Sequence, residues 1–194
     1  PLNPADGDFC KLPKIIKEEI HPFDEVQISA FLKAIEGNKF EVIFIVTLFT
    51  GLREGEVLGL TWSCVDFERN TITIDKQMQL HQEKDMIPYQ LVSVKNSRSR
   101  VIAVAPFVME QLKRHKVYQA EQRLRAGAMW QPSDLIFTNE VGDHITKSSL
   151  YRAFKKTAAS IGRPDARFHD LRHSYAVAAI RSGDDIKTVQ GNLG

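Results

Sequence analysis

"EVIFIVTLFTGLREGEVLGLTW", residues 41–62, opens on a nearly unbroken apolar run and turns at Gly51 into a charged segment. The β-branched residues Val42, Ile43, Ile45 and Val46 suit a buried strand, yet the length of the run also suits a buried helix. Periodicity leaves both open, and Gly51 ends the element either way. Beyond it, Leu52, Val57, Leu58 and Leu60 fall at helix-like positions. Between the glycines sits a permanent positive charge, Arg53, at the expected start of this second helix.

Outward from this junction the signals are clearer. Upstream, "FDEVQISAFLKAIEG" reads as a helix capped by Asp24 and stopped by Gly37. Residues 1–22 carry four prolines and mixed charge without periodicity, as a linker or strap does. Downstream, "NTITIDKQMQL", "YQLVSVKN" and "RSRVIAVAP" alternate or run apolar between polar breaks, the pattern of a small antiparallel sheet. "PFVMEQLKRHKVYQAEQRLRAG" begins at Pro106 and ends at Gly127, a proline-to-glycine helix. "DLIFTNEVGDHIT" reads as a short strand and turn. "KSSLYRAFKKTAASIG", "FHDLRHSYAVAAIRSG" and "DDIKTVQGNLG" read as three more helices. The expected fold class is α+β: a mostly helical domain over residues 23–194 with a small antiparallel β-sheet inserted after the first helices.

Bulk composition narrows the function. The 194 residues suit one domain, and 43% hydrophobic content allows a sizeable core. A net charge of +2 announces no nucleic-acid binder, so any such role rests on local clusters. Cys10 and Cys64 lie outside any C-x-x-C pattern and read as free thiols of a reducing cytoplasm. No stretch is apolar for long enough to span a bilayer, and no signal peptide is visible. The chain starts on Pro1 and stops at "GNLG", the outline of a fragment cut at both ends.

Three basic islands stand out. In the first, Arg53 offers a planar fork of donors beside a helix start, a pairing suited to a phosphate, with Glu56 one turn on to hold it. An ordinary surface Arg–Glu pair has the same pattern. In the second, "SVKNSRSRV" sets Lys95, Arg98 and Arg100 around a polar turn, a candidate contact for a nucleic-acid backbone or simply a solubilising loop. In the third, "RFHDLRHSY", helical spacing puts His169, Arg172, His173 and Ala176 on one face and Leu171, Tyr175 and Ala178 on the opposite, core-facing one. Two imidazoles flanking a guanidinium suit a bound anion, though solvation of an exposed face also accounts for them. "HDLRH" also spaces two histidines as the zinc motif H-E-x-x-H does. Its aspartate is one methylene short of the usual glutamate, and Arg172 would set a cation beside the metal.

Taken in order, Arg53 with Glu56, a hairpin lysine and a late H-x-x-R resemble the tyrosine recombinase (phage integrase) family. "TGLREGEVLGLTW" is similar to the block carrying its first catalytic arginine, "HDLRHSYA" to the block carrying its histidine and second arginine, and the closing "LG" to the opening of its "LGH" block. The resemblance runs from about Asn3 to the last residue. It implies a site-specific recombinase or integrase, a bacterial, cytoplasmic, DNA-associated enzyme that integrates or excises a prophage or conjugative transposon. It implies Arg53 and Arg172 as the guanidiniums gripping the scissile phosphate, Glu56 as their acidic support, Lys95 as the proton donor to the leaving 5′ oxygen, and His169 as the first active-site histidine. Arg98, Arg100 and His173 are then DNA contacts, with Arg98 or Arg100 competing for the lysine's role because Asn96 follows Lys95 where many relatives have threonine.

The resemblance further implies that no metal and no cofactor take part. Double-stranded DNA is the partner, on which four protomers assemble by exchanging C-terminal segments, whereas the fragment alone is expected to be monomeric. The nucleophilic tyrosine of the family is absent: none of Tyr89, Tyr118, Tyr151 and Tyr175 stands at its position. The family's second histidine or tryptophan and its N-terminal DNA-clamping domain are missing as well. Two readings from other classes compete, a non-catalytic DNA-binding module on the same fold and a zinc hydrolase using HDLRH.

Overall fold

A computed structural model describes residues 21–80, 89–94 and 99–194. Most of the expected linker, Cys10, Lys95 and Arg98 lie outside the described residues.

Local chemistry sets the first helix. The Asp24 side chain accepts the Gln27 N–H at 2.8 Å, and the Gln27 side chain accepts the Asp24 N–H at 3.2 Å, which starts α1 (Glu25–Ile35) with a reciprocal cap. The ambiguous apolar run is a helix, α2 (Glu41–Thr50). Its periodicity is faint because it is covered on nearly every side, by α1, α3 (Glu54–Leu58), α4 (Pro106–Ala126) and α6 (Phe168–Arg181). Thr47 and Thr50 are accommodated in this apolar setting by donating their hydroxyls to the carbonyls of Ile43 and Val46. Phe31, Phe44, Phe154 and Phe168 meet ring to ring at the centre, with Phe154 supplied by α5 (Lys147–Ser160).

Among the described residues the β region forms two antiparallel sheets where one was expected. β2 (Thr71–Ile74) lies between β1 (Val65–Asp66) and β5 (Arg100–Ala103), while β3 (Lys76–Leu80) pairs with β4 (Tyr89–Ser93). The stretch from Thr71 to Leu80 changes partners at Asp75, whose carbonyl accepts the Val94 N–H at 3.1 Å. α3 rests on β3 so closely that a Cβ at Gly59 would come within 2.8 Å of the Met78 nitrogen. The segment expected as a strand and turn, 134–146, makes only isolated bridges, Thr61 with Leu135 and Thr138 with His144.

α6 corrects one expectation. Leu171 is buried as anticipated, but Ala178 is exposed and Tyr175 only half-buried, whereas Arg172, assigned to the outer face, is buried. The cause is α7 (Ile186–Leu193), which covers that flank of α6. Buried Ser174 ties the same helix to the entry of the domain by accepting the Phe23 N–H at 2.8 Å.

Candidate functional site

Gly51 ends α2 in the left-handed conformation at φ 66°. A Cβ there would collide with the Tyr175 ring of α6 and lie 2.7 Å from Leu193 of α7. Glycine is required twice, for its backbone and for its bareness. It brings the end of α2 against the middle of α6 and the last turn of α7, and Arg53 follows two residues further on.

Three arginines distant in sequence converge here. Arg172 of α6 donates through one Nη to the carbonyls of Gly51 at 2.8 Å and Leu193 at 3.0 Å. Arg53 donates to the Gly194 carbonyl at 2.6 Å, and Arg100 of β5 donates through Nε to the Asn192 carbonyl at 2.8 Å. The carbonyls of Asn192, Leu193 and Gly194, where α7 ends, thus each meet a different guanidinium.

Glu56, only 2% exposed, is the other counter-charge. Its carboxylate accepts the Arg53 N–H and one Arg53 Nη, both at 3.0 Å, and takes Arg100 bidentately at 3.0 and 2.7 Å. Burial pushes this carboxyl up, but the Arg100 hydrogen bonds, the Arg53 N–H and the two guanidinium charges outweigh it and hold the group below its ordinary value. Arg172, at 9% exposure, has its pKa lowered to about 10 by burial first and then by the charges of Arg53 and Arg100, with Glu56 pulling the other way. It remains a cation at neutral pH. The Arg53 side chain keeps 46% exposure, so its fork reaches solvent from an anchored base.

His169 and His173, one turn apart on α6, meet edge to face at 4.7 Å between centroids. Burial, then His173, Arg172 and Arg53, depress His169, while Asp170 opposes them. Burial depresses His173 too, with Arg167 and Arg172 adding and Asp170 opposing. Both imidazoles are therefore neutral at pH 7 and able to accept or pass a proton. Among the described residues no third histidine, cysteine, aspartate or glutamate joins them in a metal-holding group. Tyr175 has its hydroxyl on the Asn192 side-chain amide at 3.3 Å and its ring against Gly51.

The structure thus brings Arg53, Glu56, Arg172 and His169 together, with His173 adjoining. Arg100, expected as a DNA contact at the polar turn or as a rival to Lys95, points inward with its side chain 13% exposed. Strand parity could have revealed this: Arg100 shares a face with buried Ile102, whereas Val101 between them is exposed. The backbone acceptors Gly51, Asn192 and Leu193 were missed, because a carbonyl carries no residue type to recognise.

Residues 21–194 match the model of the phage integrase family. The chain is similar to a tyrosine recombinase XerC-like protein of Caldanaerobacter subterraneus subsp. tengcongensis, 32% identical over 206 residues that cover 99% of this chain and 52% of the relative. It is also similar to the tyrosine recombinase XerA of Saccharolobus solfataricus, 27% identical over 184 residues, 94% of this chain and 51% of that protein. The chain spans about half the length of these curated relatives. Among solved structures, the Tn1549 transposon integrase in complex with a circular intermediate DNA matches with a TM-score of 0.78 at 20% identity, over 99% of this chain and 63% of that one.

Proposed function

Because the chain belongs to the phage integrase family, we propose that residues 23–194 are the catalytic domain of a site-specific DNA recombinase that cuts and rejoins double-stranded DNA through a 3′-phosphotyrosine. A phosphodiester resists attack because its charge repels the nucleophile. As the tyrosine oxygen bonds to phosphorus, negative charge grows on the non-bridging oxygens, and the forks of Arg53 and Arg172 are pre-aimed to neutralise it. The tyrosine hydroxyl gives its proton to a base, a role open to neutral His169, the P–O5′ bond breaks, and the leaving 5′ oxygen takes a proton from Lys95. The phosphotyrosyl bond conserves the energy of the broken linkage, so the 5′ hydroxyl can reverse the step without a nucleotide cofactor.

Tyr175 is not assigned the nucleophile's role, since its ring packs against Gly51 and its hydroxyl is held by the Asn192 side-chain amide. We assign that role to a tyrosine outside residues 1–194, in keeping with relatives about twice as long. In the whole protein, four protomers assemble on the DNA of a bacterial mobile element, in the cytoplasm. No helix among the described residues is long and apolar enough to cross a membrane.

The meeting of Arg172 with the Gly51 carbonyl, two residues before Arg53, close enough for the charge of Arg53 to act on Arg172, is the observation that supports this most strongly. The test is single-turnover cleavage of a suicide substrate by the whole protein. Arg53→Ala or Arg172→Ala should each slow covalent-complex formation hundreds-fold, about 3–4 kcal/mol, while DNA affinity changes little because many other cations share binding. Near-normal cleavage by either variant would refute the assignment.

A further inference from the structure

All three nitrogens of the Arg100 guanidinium donate inside the protein. Nε holds the Asn192 carbonyl, and the two Nη atoms hold the two oxygens of Glu56. The fit is close enough that a Cβ at Gly194 would come within 2.8 Å of an Arg100 Nη. Arg100 gives its end-on fork to Glu56, whereas Arg53 spends one Nη on the same carboxylate and keeps 46% of its side chain exposed.

Its partners explain what the engagement accomplishes. Glu56 is shared: Arg53 and Arg100 both bond to it, from opposite ends of the sequence block between α2 and α4. Were Arg100 absent, Arg53 would be the guanidinium left bonded to the buried carboxylate, and its fork would be drawn inward, away from the open side of the site. The contact with Asn192 works on the other arginine, because the next carbonyl, of Leu193, is the one that Arg172 holds. One guanidinium on β5 therefore braces the surroundings of both phosphate-facing arginines.

We propose that Arg100 is a positioning residue for strand cleavage, which by clamping Glu56 and the C-terminal end of α7 together sets the angle at which Arg53 and Arg172 meet the scissile phosphate. The proposal rests on the recombinase function given above. Arg100 touches neither substrate nor nucleophile and acts through Glu56 and α7.

The test uses the whole protein with Arg100→Gln, Arg100→Lys and Glu56→Gln, and the Arg100→Gln/Glu56→Gln pair. At saturating DNA both Arg100 variants should cleave roughly 100-fold more slowly, the scale of a small misplacement of catalytic groups, with DNA Kd within about twofold of wild type. Lysine should not rescue, because one ammonium cannot reproduce a bidentate grip with a third donor. The double variant should cleave no more slowly than the slower single one, since both act on one device.

Three cleavage or binding results would overturn the proposal: a weakened Kd and a salt slope shallower by about 0.9 with an unchanged rate at saturation, the mark of a phosphate contact; full activity in Arg100→Lys; or effects that multiply in the double variant. A readout independent of cleavage is amide exchange, which should quicken in α7 but not in α5 when Arg100 becomes lysine. Unchanged exchange in α7 would refute the clamp. A wild-type protein that cleaved no DNA would sink the recombinase function, while the exchange measurement would still decide whether Arg100 holds α7.

Discussion

Glu56 concentrates most of the site's electrostatics in one carboxylate. Four N–H donors from Arg53 and Arg100 converge on it, and its charge is the one that favours the cationic form of Arg172. Removing it leaves neighbouring guanidiniums mutually repelling, so Glu56→Gln should lower stability by roughly 2 kcal/mol, in the range of hydrogen bonds to charged groups. The pH dependence follows from the sign of the shift. A carboxyl held below its ordinary 4.5 contributes stability that is complete above about pH 4.5 and is lost as pH falls through the lower folded value. Urea titrations of wild type and Glu56→Gln should differ at neutral pH and draw together in strong acid. A constant gap down to the lowest accessible pH would contradict this. The histidines give the opposite case. His169 and His173 are depressed below 6.5, so the unfolded chain takes up their protons first and stability falls as pH drops below about 6.5. His173→Gln should remove part of that fall.

At the scale of elements, the meeting of α2, α6 and α7 at Gly51 makes the site. Gly51→Ala would force a side chain into a left-handed position and against Tyr175 and Leu193. We expect a loss well above 1 kcal/mol in denaturant unfolding, together with slower cleavage, because the displaced carbonyl is an anchor of Arg172. An alanine variant as stable and as active as wild type would show that this junction does not position the arginine. The same elements explain what the sequence could disclose. α1 and α4 were legible because their signals are local: Asp24 with Gln27 at one start, Pro106 and Gly127 at the ends of the other. α2 was not, because burial on nearly all sides erases the alternation that separates strand from helix. The partner switch at Asp75 was hidden for a related reason, since pairing is a property of two strands and the residues of one do not encode it.

For the whole molecule, Arg53 and Arg172 could be picked from their motifs, yet only the fold brings them around one point. The burial of Arg172 was illegible because it depends on α7 closing over α6 from a different part of the chain. Residues 1–194 alone should form no covalent adduct with a suicide substrate, as gel mobility would reveal, and an adduct on any of the four tyrosines would overturn the assignment of the nucleophile. The decisive measurement replaces the scissile phosphate with a methylphosphonate, which lacks the negative charge that the guanidiniums are held to offset. On that substrate Arg172→Ala should recover most of the cleavage it loses on ordinary DNA, because the need for one fork is gone. Equal impairment on both substrates would contradict the account, for Arg172 would then be serving the fold and not the charge of the phosphate.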